Sequence, residues 1–346
     1  MTSYGSLFAG AGGFDLGFDA AGWHNSWQVE IDPHASKVLE HWWPISTRYK
    51  DITDIHGGDL QPVDVIVGGF PCQDLSVAGN RAGLDGSRSG LFYEYSRLVK
   101  EMRHATAGTF PRWVIWENVG GALSIPGFLA NVYAEWDQIG AMVQEHRFID
   151  TGRSFGIPQR RRRILAVVGF DPRDDTESTI LGDPQSLRRD TPPGSEQGER
   201  TPPVSDRSVD SSRSETLIPE FANPLIASTA MRVDAGEGTL IPVTQDHVGL
   251  RSLTTGGGKP GQGYPAALTS LGVRRLTPLE CERLMGWPDG HTAPAGADTH
   301  RYKLCGNGVT APAAEWIANR IMFAQTEEPS QIAQPRLDVN QTATKP

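Results

Sequence analysis

The stretch "SYGSLFAGAGGFDLGF", residues 3–18, sets the architecture of what surrounds it. A short apolar run enters a glycine cluster, and a helix-like spacing of apolar residues continues to about Ala21. A strand that turns through glycines straight into a helix brings its backbone close to a ligand and aims helix N-terminal amides at it. The spacing here is GxGG. The dinucleotide pattern GxGxxG fails, because Asp15 stands at the sixth place counted from Gly10. Glu30 closes the next apolar run, where a carboxylate can bind ribose hydroxyls, and Asp51 follows the polar turn "YKDI", as a candidate for an adenine amino group. Phe8 taken alone reads equally as a core residue.

Outward from that turn, strands alternate with helices. "SWQVE" (26–30) reads as a strand, and "DPHASKVLEHWW" as a helix capped by Asp32 with Pro33 at its first position. "VDVIVGG" (63–69) is the unbroken β-branched run of a strand buried on both faces. "GLFYEYSRLVKEM" (90–102) has a helical period, and "RWVIWENV" (112–119) and "RRILAVVG" (162–169) are further strands. This alternation predicts an α/β, Rossmann-like domain with a mostly parallel sheet and helices on both faces.

At 346 residues the chain exceeds the usual single domain. Residues 171–215 are rich in Pro, Ser and charge and are expected to form a flexible insertion. Residues 216–299 hold short β-like runs and the loop "TTGGGKPGQGYP", and predict a small, mainly β or irregular second domain. The segment 277–287, with Thr277 as cap and Pro278 at its first position, predicts a short helix supporting that domain. "TAPAAEWIANRIMF" (310–323) is an amphipathic helix with Ala313, Trp316, Ile317 and Ile321 on one face. Residues 325–346 are expected to form a disordered tail.

No apolar stretch approaches the roughly 18 residues of a membrane span, and no signal peptide is visible. Cys72, Cys281 and Cys305 show no CxxC spacing, which argues against a disulfide framework or a metal site and for an intracellular, soluble protein. The formal net charge of −9 speaks against a nucleic-acid partner. Its distribution weakens that objection: the acidic excess is concentrated in 171–246, whereas "QRRRR" (159–163) is densely basic. His34, His41 and His291 read as surface or satisfied side chains.

Cys72 is placed unlike a packing cysteine. In "GGFPCQDLSVAGNRAG" (68–83) it follows Pro71 directly after a buried strand, in a loop of glycine, serine and polar residues. In this topology ligands bind at the carboxyl ends of strands. Cys72 and Glu117 both end strands there, on the rim that carries the glycine turn. Strand alternation puts Gln159, Arg161 and Arg163 on one face, where their cations can activate a thiol.

Six segments in one order, "FAGAGG", "GGFPCQDLS", "ENV", "QRRRR", "RRLTPLECERLMGWPDGHT" and "CGNGVTAPAAEWIA", resemble the cytosine-5 DNA methyltransferases of bacteria and phages. The resemblance covers 4–170 and 273–323. It implies S-adenosyl-L-methionine as methyl donor, duplex DNA with a flipped-out target cytosine as substrate, and a discontinuous catalytic domain, 1–170 plus 300–324, completed by the last helix. It makes Cys72 the nucleophile, with Pro71 stiffening its loop and Gln159 beside the arginines. Glu117 becomes the acid at ring nitrogen 3, and Arg161 and Arg163 hold the pyrimidine oxygen. Phe8, Ala9, Gly10, Gly12, Gly13, Glu30, Ile31, Asp51, Ile52, Leu91, Asn307 and Val309 are implied to line the cofactor pocket. One departure is Gly308, where the family often has serine, so one contact is expected to be missing. Arg88 is a candidate phosphate contact in the loop after Cys72. Arg232, Arg251, Lys259, Gln262 and Tyr264 are candidates for base-edge readout.

The implied setting is cytoplasmic, on the nucleoid DNA of a bacterial or phage-infected cell. A monomer is expected, acting with a cognate restriction endonuclease or as an orphan, with no membrane and no metal. A transfer-RNA cytosine-5 methyltransferase and a catalytically idle DNA-binding protein remain as alternatives.

Overall fold

The structure, a computed structural model, describes residues 2–71, 90–171, 180–181, 224–226, 250–251, 265–269 and 272–326. The glycine turn does join a strand to a helix: β1 (Ser3–Leu7) leads through it into α1 (Gly13–Ala20). Next come β2 (His24–Val29), α2 (Pro33–Trp42), β3 (Thr47–Tyr49), β4 (Val65–Gly68), α3 (Gly90–Ala105), β5 (Trp113–Val119) and α4 (Phe128–Gln138). β6 (Val143–Asp150), α5 (Thr151–Phe155), β7 (Gln159–Arg160) and β8 (Arg162–Gly169) complete the first half. Seven strands form one sheet in the order β3-β2-β1-β4-β5-β8-β6. The first five pair in parallel, whereas β8 runs antiparallel to both β5 and β6. The link from β6 to β8 is too short for the crossover that a parallel pair requires, so the chain doubles back.

Alternation along the central strands divides the core. In β4, Val65 and Val67 face α1 and the last helix, whereas Ile66 faces α3 and α4. The last helix, α8 (Ala311–Thr326), buries Ala314, Trp316, Ile317, Ala318 and Ile321 against α1. Burial of each large apolar side chain contributes about 1.5–3 kcal/mol, and the packing is close. A Cβ on Gly17 of α1 would lie 2.4 Å from the Ala314 Cβ. Trp316, Ile317 and Ile321 of the expected apolar face are thus packed against α1 and the sheet.

Two expected boundaries differ from the packing. Within 171–215, Ile180 and Leu181 are buried at 3% and 2% exposure in the core beside α8. Their amides donate to the two Glu145 oxygens of β6, at 3.1 and 3.0 Å. Composition averaged over the whole stretch hid this apolar pair. The second difference lies at 276–299, expected with the small domain. There α6 (Pro278–Leu284) and α7 (Asp298–Asn307) frame a cluster in which Leu276, Cys281, Leu284, Met285, Trp287 and Ala295 pack on Ala11, Ala35 and Val38. The helix expected at 277–287 is present, with a complete capping box between Thr277 and Glu280, but it supports the first domain.

Of the expected second domain the structure describes β9 (Pro224–Ile226), β10 (Leu250–Arg251), β11 (Pro265–Thr269) and β12 (Gly272–Arg275). β9, β11 and β12 form an antiparallel sheet, and β10 pairs in parallel with β7. The tail beyond 326 and the "TTGGGKPGQGYP" loop lie outside the described residues. Among the described residues, no helix is long and apolar enough to cross a membrane.

Candidate active site

A cavity of about 420 Å³ opens at the carboxyl ends of β1, β2, β4 and β5. Drug-sized ligands occupy cavities of roughly 300–1,000 Å³. Ten of the twelve residues expected around a cofactor line it: Phe8, Ala9, Gly10, Glu30, Ile31, Asp51, Ile52, Leu91, Asn307 and Val309. Gly12 and Gly13 do not. They shape the turn behind it: Gly12 takes φ +80° with Trp43 packed where a Cβ would stand, and a Cβ on Gly13 would meet the Val309 carbonyl at 2.3 Å.

Carboxylates define one side of the cavity. Glu30 accepts the Gly10 amide at Oε2 and the Asp32 amide at Oε1, both at 2.7 Å. Burial raises its pKa while these two bonds lower it. Asp51 accepts the Thr53 amide and hydroxyl at Oδ1, which holds it below the usual carboxylate range. Each carboxylate oxygen has a second lone pair, so both side chains retain acceptor capacity toward hydroxyl or amino groups. Ile31 is 60% exposed at the cavity wall, an apolar surface suited to a planar ring. An open backbone at Gly10, where a Cβ would meet nothing within 4 Å, gives a ligand room beside the helix N-terminus. These features fit an adenosine-type cofactor with a charged tail.

The far wall carries the acid–base residues. Glu117, near the end of β5, faces the cavity and pairs with the Arg163 Nε at 3.0 Å. Burial pushes its pKa up, opposed by Arg163 and Arg161. Pro71 also lines the cavity, and the chain passes from it to Cys72, which lies outside the described residues.

Of Gln159, Arg161 and Arg163, which strand alternation put on one face, only Arg163 lines the cavity, and Arg161 stands at a break between β7 and β8. Arg161 is 1% exposed and donates to the Gly306 carbonyl at 3.2 Å and the Gly308 carbonyl at 2.5 Å. It ties β8 to the segment carrying Asn307, a positioning task that differs from the expected grip on a pyrimidine. Gln159 is fully buried, and its amide atoms have no hydrogen-bond partner among the described residues. Gly308 also has a structural cause: the Trp287 indole fills the space of a side chain there, 2.4 Å from an added Cβ.

Two features escaped the sequence reading. Lys303 of α7 pairs with Asp32 at 2.7 Å on the cavity rim. Asn118 donates to the Phe70 carbonyl at 3.3 Å, bracing the strand end before Pro71. Both contacts join residues distant in sequence, and no local pattern announces them. Arg88, Arg232, Lys259, Gln262 and Tyr264 lie outside the described residues, as does the side chain of Arg251. No cluster of three or more metal-ligating side chains occurs among the described residues.

A sheet of this order, with a glycine turn, two strand-end carboxylates and an apolar wall around one cavity, defines the S-adenosylmethionine-dependent methyltransferase class. The model of the C-5 cytosine-specific DNA methylase family matches residues 2–201 and 252–322, and the chain belongs to that family. It is a DNA cytosine-5-methyltransferase with S-adenosylmethionine as methyl donor. A Type II methyltransferase of Lactococcus lactis subsp. cremoris, M1.ScrFI, is 30% identical, covering 91% of this chain and 77% of that protein. An Escherichia phage P1 protein named a DNA N-6-adenine-methyltransferase is 26% identical over 93% of this chain, which spans 61% of its length. The crystal structure of the S. pombe Dnmt2 methyltransferase shares the fold, with a TM-score of 0.66 at 17% identity, covering 94% of this chain and 98% of that one.

Proposed function

We propose that the enzyme methylates the target cytosine of a short duplex DNA sequence through a covalent adduct with Cys72. The observation that carries this reading is that Glu117 and Pro71 line the same cavity as Phe8, Gly10 and Glu30. Ring carbon 5 of cytosine is a weak nucleophile. Attack of the Cys72 thiolate on carbon 6 breaks the 5,6 double bond and turns the ring into an enamine. Glu117, whose neutral form burial favours, gives its proton to ring nitrogen 3, where the electron pair displaced by the attack binds it, and is left as the carboxylate. Arg163 keeps the Glu117 carboxyl oriented toward the base. The cofactor, held by Glu30, Asp51 and the glycine turn, supplies an electrophilic methyl group. Loss of the carbon-5 proton then re-forms the double bond and expels the Cys72 thiolate. A stacked base is out of reach of these groups, so the cytosine must be flipped out of the duplex.

The likeness to Type II methyltransferases supports a DNA-protecting role, in a pair with a cognate endonuclease or as an orphan. The reading further takes the enzyme as a cytoplasmic monomer, with base readout by residues 171–273. Adenine N6 methylation uses the exocyclic nitrogen directly and needs no thiolate. The "PCQ" loop therefore favours carbon-5 chemistry over the activity named for the phage P1 protein.

The test is expression in a host lacking cytosine methylation, beside Cys72→Ala. Bisulfite conversion of genomic DNA and small RNA is read together with N6-methyladenine content. A Cys72-dependent mark at one short DNA motif is expected. A mark confined to small RNA, methylation at adenine, or turnover surviving Cys72→Ala would overturn the reading.

A further inference from the structure

His291 is the buried titratable group that the chemistry above leaves unused. It is 0% exposed, and its Nε2 lies 2.6 Å from the Ala11 carbonyl in the middle of the glycine turn. A carbonyl oxygen only accepts, so Nε2 carries the proton and donates. Its Nδ1 is buried with no hydrogen-bond partner among the described residues. Three indoles surround the ring: Trp42 stacked at 5.4 Å, Trp287 at 5.3 Å and Trp43 at 6.1 Å. Two of these indoles also pack beside the cofactor site. Trp43 packs against Gly12, and Trp287 donates to the Val309 carbonyl at 3.0 Å.

The backbone around His291 is itself fixed. Trp42 donates to the His291 carbonyl at 2.9 Å. Glu282 of α6 accepts the Gly290 amide at 2.7 Å, the Thr292 amide at 2.9 Å and the Arg301 guanidinium at 3.0 Å. The imidazole is thus the end of a rigid bracket from the C-terminal segment, and its one polar contact is the cofactor turn.

We propose that His291 is a positioning residue for the cofactor: its neutral imidazole fixes the Ala11 carbonyl and thereby the curvature of the Gly10–Gly13 turn that receives S-adenosylmethionine. The inference rests on the cofactor assignment and adds a pH dependence to it. Protonation would place a charged N–H on Nδ1, buried among indoles with no acceptor. The charged groups facing the ring are Glu282, which favours protonation, and His41 of α2, which opposes it. Burial is the largest influence and depresses the His291 pKa, against the Ala11 hydrogen bond and Glu282, which raise it, so the neutral bracket gives way only on the acid side of the ordinary histidine range.

The experiment measures S-adenosylmethionine binding to the full-length protein by calorimetry from about pH 7.5 down to about pH 4.5, reaching below the ordinary histidine range because burial lowers this pKa. Wild type is compared with His291→Phe and His291→Gln. Phenylalanine fills the cage without a donor and is expected to weaken binding about tenfold, the scale of one lost hydrogen bond to a buried acceptor, with DNA affinity unchanged. Glutamine keeps an N–H donor but cannot titrate. It is expected to stay near wild type at pH 7.5 and to lose the acid-side fall in affinity. Wild-type binding by His291→Phe, or an unchanged acid limb in His291→Gln, would overturn the proposal. Should His291→Phe fail to fold, the glutamine comparison decides alone. A wild-type protein that binds no S-adenosylmethionine would refute the cofactor assignment instead.

Discussion

Glu117 shows how one residue's environment sets its chemistry. A free glutamate is ionised at neutral pH and cannot donate a proton to a ring nitrogen. Burial at the end of β5 favours its neutral form, and the Arg163 pair at 3.0 Å limits that shift while fixing direction. The two effects oppose, and burial wins. Glu117→Gln keeps shape and hydrogen bonding but has no proton to deliver. Methyl transfer is expected to slow by at least about a hundredfold, with S-adenosylmethionine affinity held, measured by single-turnover kinetics and calorimetry on the same preparation. A rate equal to wild type would place the acid elsewhere.

Among the elements, β8 and the residue before it carry two jobs. Arg163 of β8 lines the cavity, and Arg161, just before the strand, holds the Gly306 carbonyl in the last turn of α7 and the Gly308 carbonyl beyond it. A guanidinium spans both acceptors from one planar fork, which a lysine cannot do. Arg161→Lys is accordingly expected to raise the KM for S-adenosylmethionine about tenfold through displacement of Asn307 and Val309, with the KM for DNA nearly unchanged. An effect confined to DNA would return Arg161 to the substrate base.

For the molecule as a whole, two features set stability. Ile180 and Leu181 dock a Pro- and Ser-rich segment onto the core, so Leu181→Ala is expected to cost about 2–5 kcal/mol, as at other buried leucines, measured by chemical denaturation. Asp15 is the second. It is fully buried under hydrogen bonds from Ser6, Asn25 and Gln28, and burial raises its pKa from 3.8 to about 7. The folded state therefore holds a proton that the unfolded chain releases near pH 4. The stability this contributes is fully present below that pH and is lost as pH rises through about 7. Asp15→Asn should flatten the decline in stability between about pH 4 and pH 7; an unchanged profile would show that other groups cause it.

Much of this was legible in the residues themselves. The glycine turn, the β-branched run before Cys72 and the Asp32 and Thr277 caps each impose a backbone state through local sterics and hydrogen bonding. Their order along the chain then fixes the topology and the rim that carries Glu30 and Glu117. Local pattern could not say what packs behind the rim, because those contacts join residues as far apart as Ala11 and His291, and burial is a property of the assembled molecule. Only the tertiary structure separated Gly12 and Gly13, which shape the turn, from the residues lining the cavity, and Arg161 from Arg163. It also moved 276–299 into the first domain and anchored Leu181. The chemistry was written in residue type and spacing. Which side chain holds and which one reacts was decided by packing, since both tasks use the same residue types and differ only in what surrounds them.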